Sequence, residues 1–387
     1  MTRIIAVFWV CLFAFSVALP TQAESELQPH TTTIMRAKVV EITQEEVRAI
    51  AGTDIQNSFQ TIRAEILDGA QKGSVVTVEN DYLNLDEGDV FYLSHTVEPY
   101  GGEYYNVNDP YRMPQLIFIT GLFVLAVLLF GGIQGLRGLV SLIASFFFIF
   151  YLLLPGIMEG YSPLLITVLV SSLIIILGSY VTHGFTRTTS AAVAGMITTV
   201  VFTGLLAYWS VRITKLSGFG SDETVYLNLN AGGGLDVVGL LLSGIIIGLL
   251  GVLYDAAIGQ AVSVDELTRI APHVSRRTIY ERAVRIGREH IGALVNTLAL
   301  AYVGTALPLL LLFMQSGTAS PTQIINTEIF ATEIVRIMIG SIGLVLAVPI
   351  TTLIAVWMLV RTKPSAEPDA IAHEHELLAH AGHHHSH

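Results

Sequence analysis

Apolar runs of about 20 residues, separated by short charged connections, constrain this chain more than any other feature. A bilayer core takes about 20 apolar residues per helix, and within hydrocarbon every backbone N–H and C=O must be satisfied inside the segment itself. Seven stretches of the 387-residue sequence qualify: 115–135, 138–157, 163–182, 189–209, 237–258, 291–313 and 335–360. The chain is 52% hydrophobic and only 13% charged, and its charges gather between the runs, which is the composition of a membrane protein. The expected fold class is therefore a membrane all-α helical bundle of about seven transmembrane helices (114–362), preceded by a small exported antiparallel β domain.

Residues 1–23 have the layout of a secretory signal peptide: Arg3, an apolar run from Ile4 to Leu19, then Pro20 and a small-residue end at Ala23. An uncleaved anchor is the alternative. Cys11, the single cysteine, lies in this run, so no disulfide is expected in the mature chain. Residues 24–113 hold 16 acidic and 6 basic residues, most of the net charge of −11, which argues against nucleic acid as a partner. Short β-branched and aromatic runs at 34–42, 59–67, 74–79, 90–97 and 104–107 predict about five strands. The turn signals Asp68-Gly69, Lys72-Gly73, Glu87-Gly88-Asp89 and Gly101-Gly102 separate them, suggesting a small barrel, sandwich or OB-like domain. Such a domain is either a solvated cap or a module that binds a protein partner.

Orientation follows from the arginines and lysines of the connections. With the β domain outside, the inner connections carry Arg137, Arg187, Arg269, Arg276, Arg277, Arg282, Arg285 and Arg288, then Arg361 and Lys363. The outer ones carry Arg212 and Lys215, with Arg336 at the edge of the last run. This bias is expected of a multi-pass protein with its N-terminal domain outside and its C-terminus in the cytoplasm.

The stretch from Gly244 to Phe313 draws the functional reading. Gly244, Gly248, Gly251, Asp255 and Gly259 recur at steps of four, three, four and four, which puts them on one helical face. The glycines would let another helix come close, and Asp255 stands among them. A charged residue at the centre of a membrane helix costs about 2.5–3.5 kcal/mol on insertion scales, so it usually faces a partner or a water-filled cavity. Beyond it, a cytoplasmic amphipathic connector (260–290) opens with Ser263-Val264-Asp265-Glu266, the spacing of a capping box, and Pro272 ends that short helix. A second helix starts near Ser275, with Ile279, Ala283, Ile286 and His290 on one face and Arg277, Glu281, Arg285 and Arg288 on another. Arg277, Arg285 and Arg288 suit anionic lipid headgroups at the inner leaflet. The following span opens with Glu289, His290, Asn296 and Thr297, and antiparallel pairing would bring these to the depth of Asp255. A carboxylate and an imidazole there would bind a cation or relay protons.

The runs GVLYDAAIGQAVSVDEL, SRRTIYERAVRIGREHI and NTLALAYVGTALPLLLLF, with THGFTRTTSAAVAG at Thr182 to Gly195, resemble the YibE/F family of bacterial multispanning membrane proteins. The resemblance covers most of residues 34–360. It implies that Asp255 matches the family's characteristic aspartate, and that Glu289, His290, Asn296 and Thr297 match its glutamate-histidine and asparagine-threonine pairs. Tyr254 stands where a small or acidic residue is expected. The resemblance implies a multi-pass protein of the bacterial plasma (inner) membrane, of undefined activity.

The tail, 363–387, is expected to be a disordered cytoplasmic extension marked by Pro364 and Pro368. Its histidines, among them His373, His375, His383, His384, His385 and His387, suit a divalent metal, the one cofactor the sequence suggests. A low-complexity tail is the plain alternative. No catalytic constellation is found: there is no HExxH, and no second aspartate in another span for an aspartyl pair. A transporter or channel, proton- or cation-coupled, is the leading reading, and an assembly protein that binds a partner through the exported domain is the alternative.

Overall fold

The computed structural model describes residues 31–49, 56–81, 83–97, 102–315 and 320–360. The signal peptide expected at 1–23 and the tail at 363–387, with its candidate metal-binding histidines, lie outside the described residues. The chain divides into two units, 1–130 and 131–387.

In the first unit every expected strand is present: β1 (Thr31–Ala49), β2 (Gln56–Ile66), β3 (Val75–Asn80), β4 (Val90–Val97) and β5 (Glu103–Pro110). They form one antiparallel sheet in the order β3-β2-β1-β4-β5, and the edge strands β3 and β5 approach each other, giving a half-barrel. Because side chains alternate along a strand, Met35, Ala37 and Val39 of β1 point inward with Ile62, Ala64 and Ile66 of β2 and Phe91 and Leu93 of β4. Gln60 and Asn80 are the polar members of this interior. Asn80 Nδ2 donates to Gln60 Oε1 (3.0 Å), and Gln60 exchanges hydrogen bonds with the backbone of Leu85, holding Leu85 over the core.

Arg36 ties the start of the sheet to the turn after β2. Its backbone N and Nε both donate to the Asp68 carboxylate at 2.7 Å. The hydrogen bond from the Arg36 side chain, then the one from its backbone, holds the Asp68 carboxyl below its usual range. A depressed carboxyl adds stability above its unfolded value of about 3.9, and the contribution is lost as pH falls through the lower folded value. The side chains are 40% and 38% exposed, so solvent screens the pair and the effect is modest. Asp68→Asn is expected to abolish an acid-end titration visible in the carboxyl signals of the full chain by NMR; an unchanged titration curve would exclude this pairing.

The helices are α1 (Met113–Phe148), α2 (Leu154–Met158), α3 (Pro163–His183), α4 (Arg187–Thr214), α5 (Asp222–Asn230), α6 (Val237–Ile270), α7 (Arg276–Thr305), α8 (Leu307–Gln315), α9 (Pro321–Ile325) and α10 (Glu328–Leu359). Among the described residues five helices are long and apolar enough to cross a membrane, or six if α7 and α8, bent by 64°, count as one span. The seven runs of the sequence reduce to this number because 115–135 and 138–157 fall in one helical stretch, Met113–Met158, whose α1 is interrupted at Gly132 (φ 52°, ψ −136°). That conformation lies outside the helical region and suits glycine.

In the second unit α10 packs against α4, α6 and α7, and α3 against α4 and α6. Small residues set the distances. A Cβ on Gly195 of α4 would lie 2.8 Å from Thr351 Cβ and 2.9 Å from its Cα on α10. A Cβ on Gly343 of α10 would lie 2.9 Å from Thr203 Cγ2 and 3.0 Å from Leu249 Cδ2. Without a hydrophobic drive between helices in lipid, such close approach and interhelical hydrogen bonds carry association. Thr167 Oγ1 donates to Ser243 Oγ (2.7 Å) between α3 and α6, and Thr352 Oγ1 donates to Gln260 Oε1 (2.8 Å) between α10 and α6.

The connector differs from its expectation. Ser263 does not start a helix: α6 runs unbroken from Val237 to Ile270, and the Ser263 hydroxyl donates to Gly259 O (2.8 Å) within it. Burial of Gln260, Ala261 and Val264 against the bundle carries the helix past the capping sequence. The helix stops at Ile270, short of Pro272, because the residue before a proline avoids helical geometry. Ser275 caps α7 as expected, its side chain accepting from Thr278 N.

Candidate functional site

At one end of the second unit the basic segments meet. Arg276 donates through Nε and Nη2 to Val360 O (3.0 and 2.8 Å), capping α10, and Arg269 Nη2 pairs with Asp265 Oδ2 (2.8 Å), which also accepts from Thr188 of α4 (3.1 Å). At the other end Ser217 donates from both its backbone N and its hydroxyl to Glu328 Oε1. A cavity of about 320 Å³ also lies there, lined by Ile157, Tyr161, Ser162, Pro163, Leu235 and Asp236.

Between these ends α6 shows two faces. Leu249, Leu253, Ala256, Ala257 and Gln260 are buried in the bundle, while Gly244, Gly248, Gly251, Asp255 and Gly259 lie on the exposed side. A Cβ on Gly244, Gly251 or Gly259 would meet nothing within 4 Å. Gly248 alone of these glycines is covered: a Cβ there would collide with Tyr302 Oη and lie 3.1 Å from Tyr302 Cζ. Among the described residues, therefore, no other helix meets these glycines except where Tyr302 of α7 crosses Gly248. Asp255 lies seven residues from Gly248, about 10.5 Å along the axis and nearly on the same face.

Two contacts give the register of α6 on α7. Gly248 meets Tyr302, and Gln260 packs beside Gly287. Asp255 is therefore level with the stretch between His290 and Asn296. The faces differ, however. At 3.6 residues per turn, Glu289, His290, Asn296 and Thr297 fall within a sector about 120° wide centred opposite Tyr302. All four are exposed, and no hydrogen bond or ion pair joins them to Asp255; Thr297 Oγ1 donates to Ala293 O on its own helix (2.9 Å). The side of α7 that packs inward is Ile279, Ala283, Gly287 and Leu298. Arg277, Arg285 and Arg288 are exposed, with Arg277 paired to Glu281 (3.0 Å). Among the described residues no group of three or more His, Cys, Asp or Glu is placed to hold a metal ion.

Sequence reasoning missed a second cluster. Arg336 Nη1 lies 2.8 Å from Glu333 Oε1 one turn earlier on α10, with the side chains 28% and 23% exposed. The Arg336 guanidinium carbon is 5.9 Å from the centre of the Tyr302 ring. Glu333 Oε2 and Arg336 Nε are buried without a hydrogen-bond partner among the described residues. The i, i+3 spacing of opposite charges inside an apolar run was the available signal. The fold adds Tyr302, whose ring joins this pair to Gly248 and so to the face that carries Asp255. A third polar pair, His183 and Tyr254, has its rings 5.9 Å apart where α3 passes α6.

A helical bundle with long apolar helices and ionisable groups set within them defines a multi-pass membrane protein. The chain belongs to the YibE/F-like protein family, whose sequence model matches residues 119–361. No curated protein and no solved structure matches it.

Proposed function

We propose that the protein is a transporter or channel of the bacterial inner membrane, coupled to protons or cations through Asp255. The observation that carries this reading is Asp255 itself: an exposed carboxylate with no hydrogen-bond or ion-pair partner among the described residues, in a membrane helix, on a glycine face that those residues leave open except where Tyr302 crosses it. A charge so placed usually faces a partner or a water-filled cavity, and the transport reading takes the cavity. The glycine face leads from Asp255 to Tyr302 and the Glu333–Arg336 pair, so polar groups follow one side of α6 through much of its length.

In this reading residues 24–113 are exported and seven spans leave the C-terminus in the cytoplasm. The stretch Met113–Met158 is 46 residues, about 69 Å of helix and roughly twice the hydrocarbon thickness, so it supplies two spans with Gly132 between them. The exposed arginines of α7, Arg277, Arg285 and Arg288, rest on anionic headgroups of the inner leaflet. The test is flux in proteoliposomes of defined orientation, read with a pH-sensitive dye and with sodium and potassium indicators. Asp255→Asn is expected to bring the coupled flux to background while the protein still elutes as a folded species; flux equal to wild type would sink the proposal.

A second reading is favoured by the β domain. Ile34, Val40 and Val47 of β1 are 61%, 48% and 66% exposed, apolar side chains on the outside of the sheet that suit a protein partner. In that case the bundle anchors an assembly factor. Crosslinking from Val47 in cells would recover a defined partner, and its failure from every position on β1 would remove this alternative.

A further inference from the structure

The outward face of α7 carries an inference that stands whether or not the chain transports anything. We propose that this face is the seam of a parallel homodimer, in which Asn296 pairs with Asn296 of a second copy across a two-fold axis along the membrane normal.

At 3.6 residues per turn, Arg282, Arg285, Glu289, Ala293, Asn296 and Leu300 fall in a sector about 80° wide. All six are exposed, and the sector lies opposite Gly287, Leu298 and Tyr302, through which α7 packs on the bundle. The steps from Glu289 to Leu300 are four, three and four, the repeat by which one helix packs along another. Gly292 and Gly304 flank the sector, and a Cβ on either would meet nothing within 4 Å.

Asn296 requires that this face be covered. It stands seven residues past Glu289, about 10.5 Å along the axis, against a hydrocarbon half-thickness of about 15 Å. From Ile291 to Thr327 the sequence has no charged side chain. Asn296 makes no hydrogen bond among the described residues, and lipid tails would leave its donors and acceptor unmet. Other spans of the chain do not supply the partner. Gln134 of α1 donates to Thr182 O (3.1 Å), and Gln260 of α6 accepts from Thr352 Oγ1 (2.8 Å). Between Leu116 and Phe130, α1 offers Thr120 alone as a polar side chain.

A second copy supplies it. A carboxamide holds donors and an acceptor in one group, so two of them related by a two-fold axis satisfy each other. Copies inserted alike in one membrane are parallel, which brings Asn296 to the depth of Asn296. Gly292 and Ala293 let the backbones come close enough for the short side chains to meet. The charges agree with this pairing. Arg285 lies one turn before Glu289 on the same face, so across the axis each guanidinium meets the carboxylate of the other copy and offsets the approach of the two acids.

The test is cysteine crosslinking of the full chain in its membrane, in a Cys11→Ser background that leaves no other cysteine, with two differently tagged copies expressed together. A disulfide forms only where Cα atoms come within about 7 Å, so Ala293→Cys and Leu300→Cys are expected to give a linked species of twice the chain mass that carries both tags. Leu169→Cys on α3 and Trp357→Cys on α10, at positions 65% and 72% exposed, should stay unlinked. Asn296→Leu placed in the Ala293→Cys chain should lower the linked fraction roughly threefold or more, while Asn296→Gln, which keeps the carboxamide, should retain most of it. Links no stronger than at the two control positions, a linked species in which one copy is joined to a different protein, or an Asn296→Leu chain that links as well as its parent would each overturn the proposal.

Discussion

Gly195→Ala is expected to destabilise the bundle by about 1–3 kcal/mol, and Gly195→Leu to prevent accumulation of folded protein. The added Cβ would sit 2.5 Å from Thr351 Oγ1, 2.8 Å from Thr351 Cβ and 2.9 Å from Thr351 Cα. The first two atoms belong to a side chain, but the third is backbone in the middle of α10, so the two helices themselves must separate. Separation would loosen buried neighbours on both sides, including Met196 and Val200 of α4 and Leu344 and Ala347 of α10. Thermal midpoints by fluorescence-detected size exclusion read the effect. Combining Gly195→Ala with Thr351→Gly removes two of the three clashing atoms and should recover part of the loss, a coupling that distant sites do not show. Equal midpoints for wild type and Gly195→Ala would mean that α4 and α10 do not meet here.

Gly248→Ala and Gly244→Ala form the second comparison, the same substitution one turn apart on one face of α6. At Gly244 the new methyl meets nothing within 4 Å, and replacing glycine in a helix is neutral or favourable by up to about 1 kcal/mol. At Gly248 it collides with Tyr302 Oη and comes within 3.1 Å of Cζ. Tyr302 must swing away, which takes its ring off Gly248 and shifts it against Arg336, 5.9 Å away. A cost of about 1–3 kcal/mol is expected there, as for other overpacked sites, together with a changed flux. Tyr302→Phe, which deletes the colliding oxygen, should lessen the harm of Gly248→Ala. If the two alanine variants behave alike, Tyr302 does not cross the glycine face.

Much of the fold was legible in the residues. The five strands lie where β-branched runs end on Asp-Gly and Lys-Gly turns, because alternation and turn chemistry are local. The helix start at Ser275 was legible for the same reason: its hydroxyl meets a backbone N–H three residues away. Ser263 carried an equally good capping pattern and was overruled, since the burial of Gln260, Ala261 and Val264 outweighs one local hydrogen bond. The stripe from Gly244 to Gly259 was legible as a helical period, and it lies on the exposed side of α6. Whether that face touches protein depended on where the other helices lie.

The division follows from range. Hydropathy, helical period and turn residues act over a few neighbours, so by itself the sequence determined a β domain before a set of apolar helices, and the position of Asp255 within one of them. Which side chains share a site depends on register and rotation between helices far apart in the chain. Tyr302 and Arg336 meet because α7 crosses α6 at Gly248 beside α10, while Glu289, His290, Asn296 and Thr297, level with Asp255, are turned away by half a turn of the same helix. The packing of small residues, at Gly195, Gly343, Gly287 and Gly248, together with the hydrogen bonds between helices, sets those rotations, and only the tertiary structure could decide them.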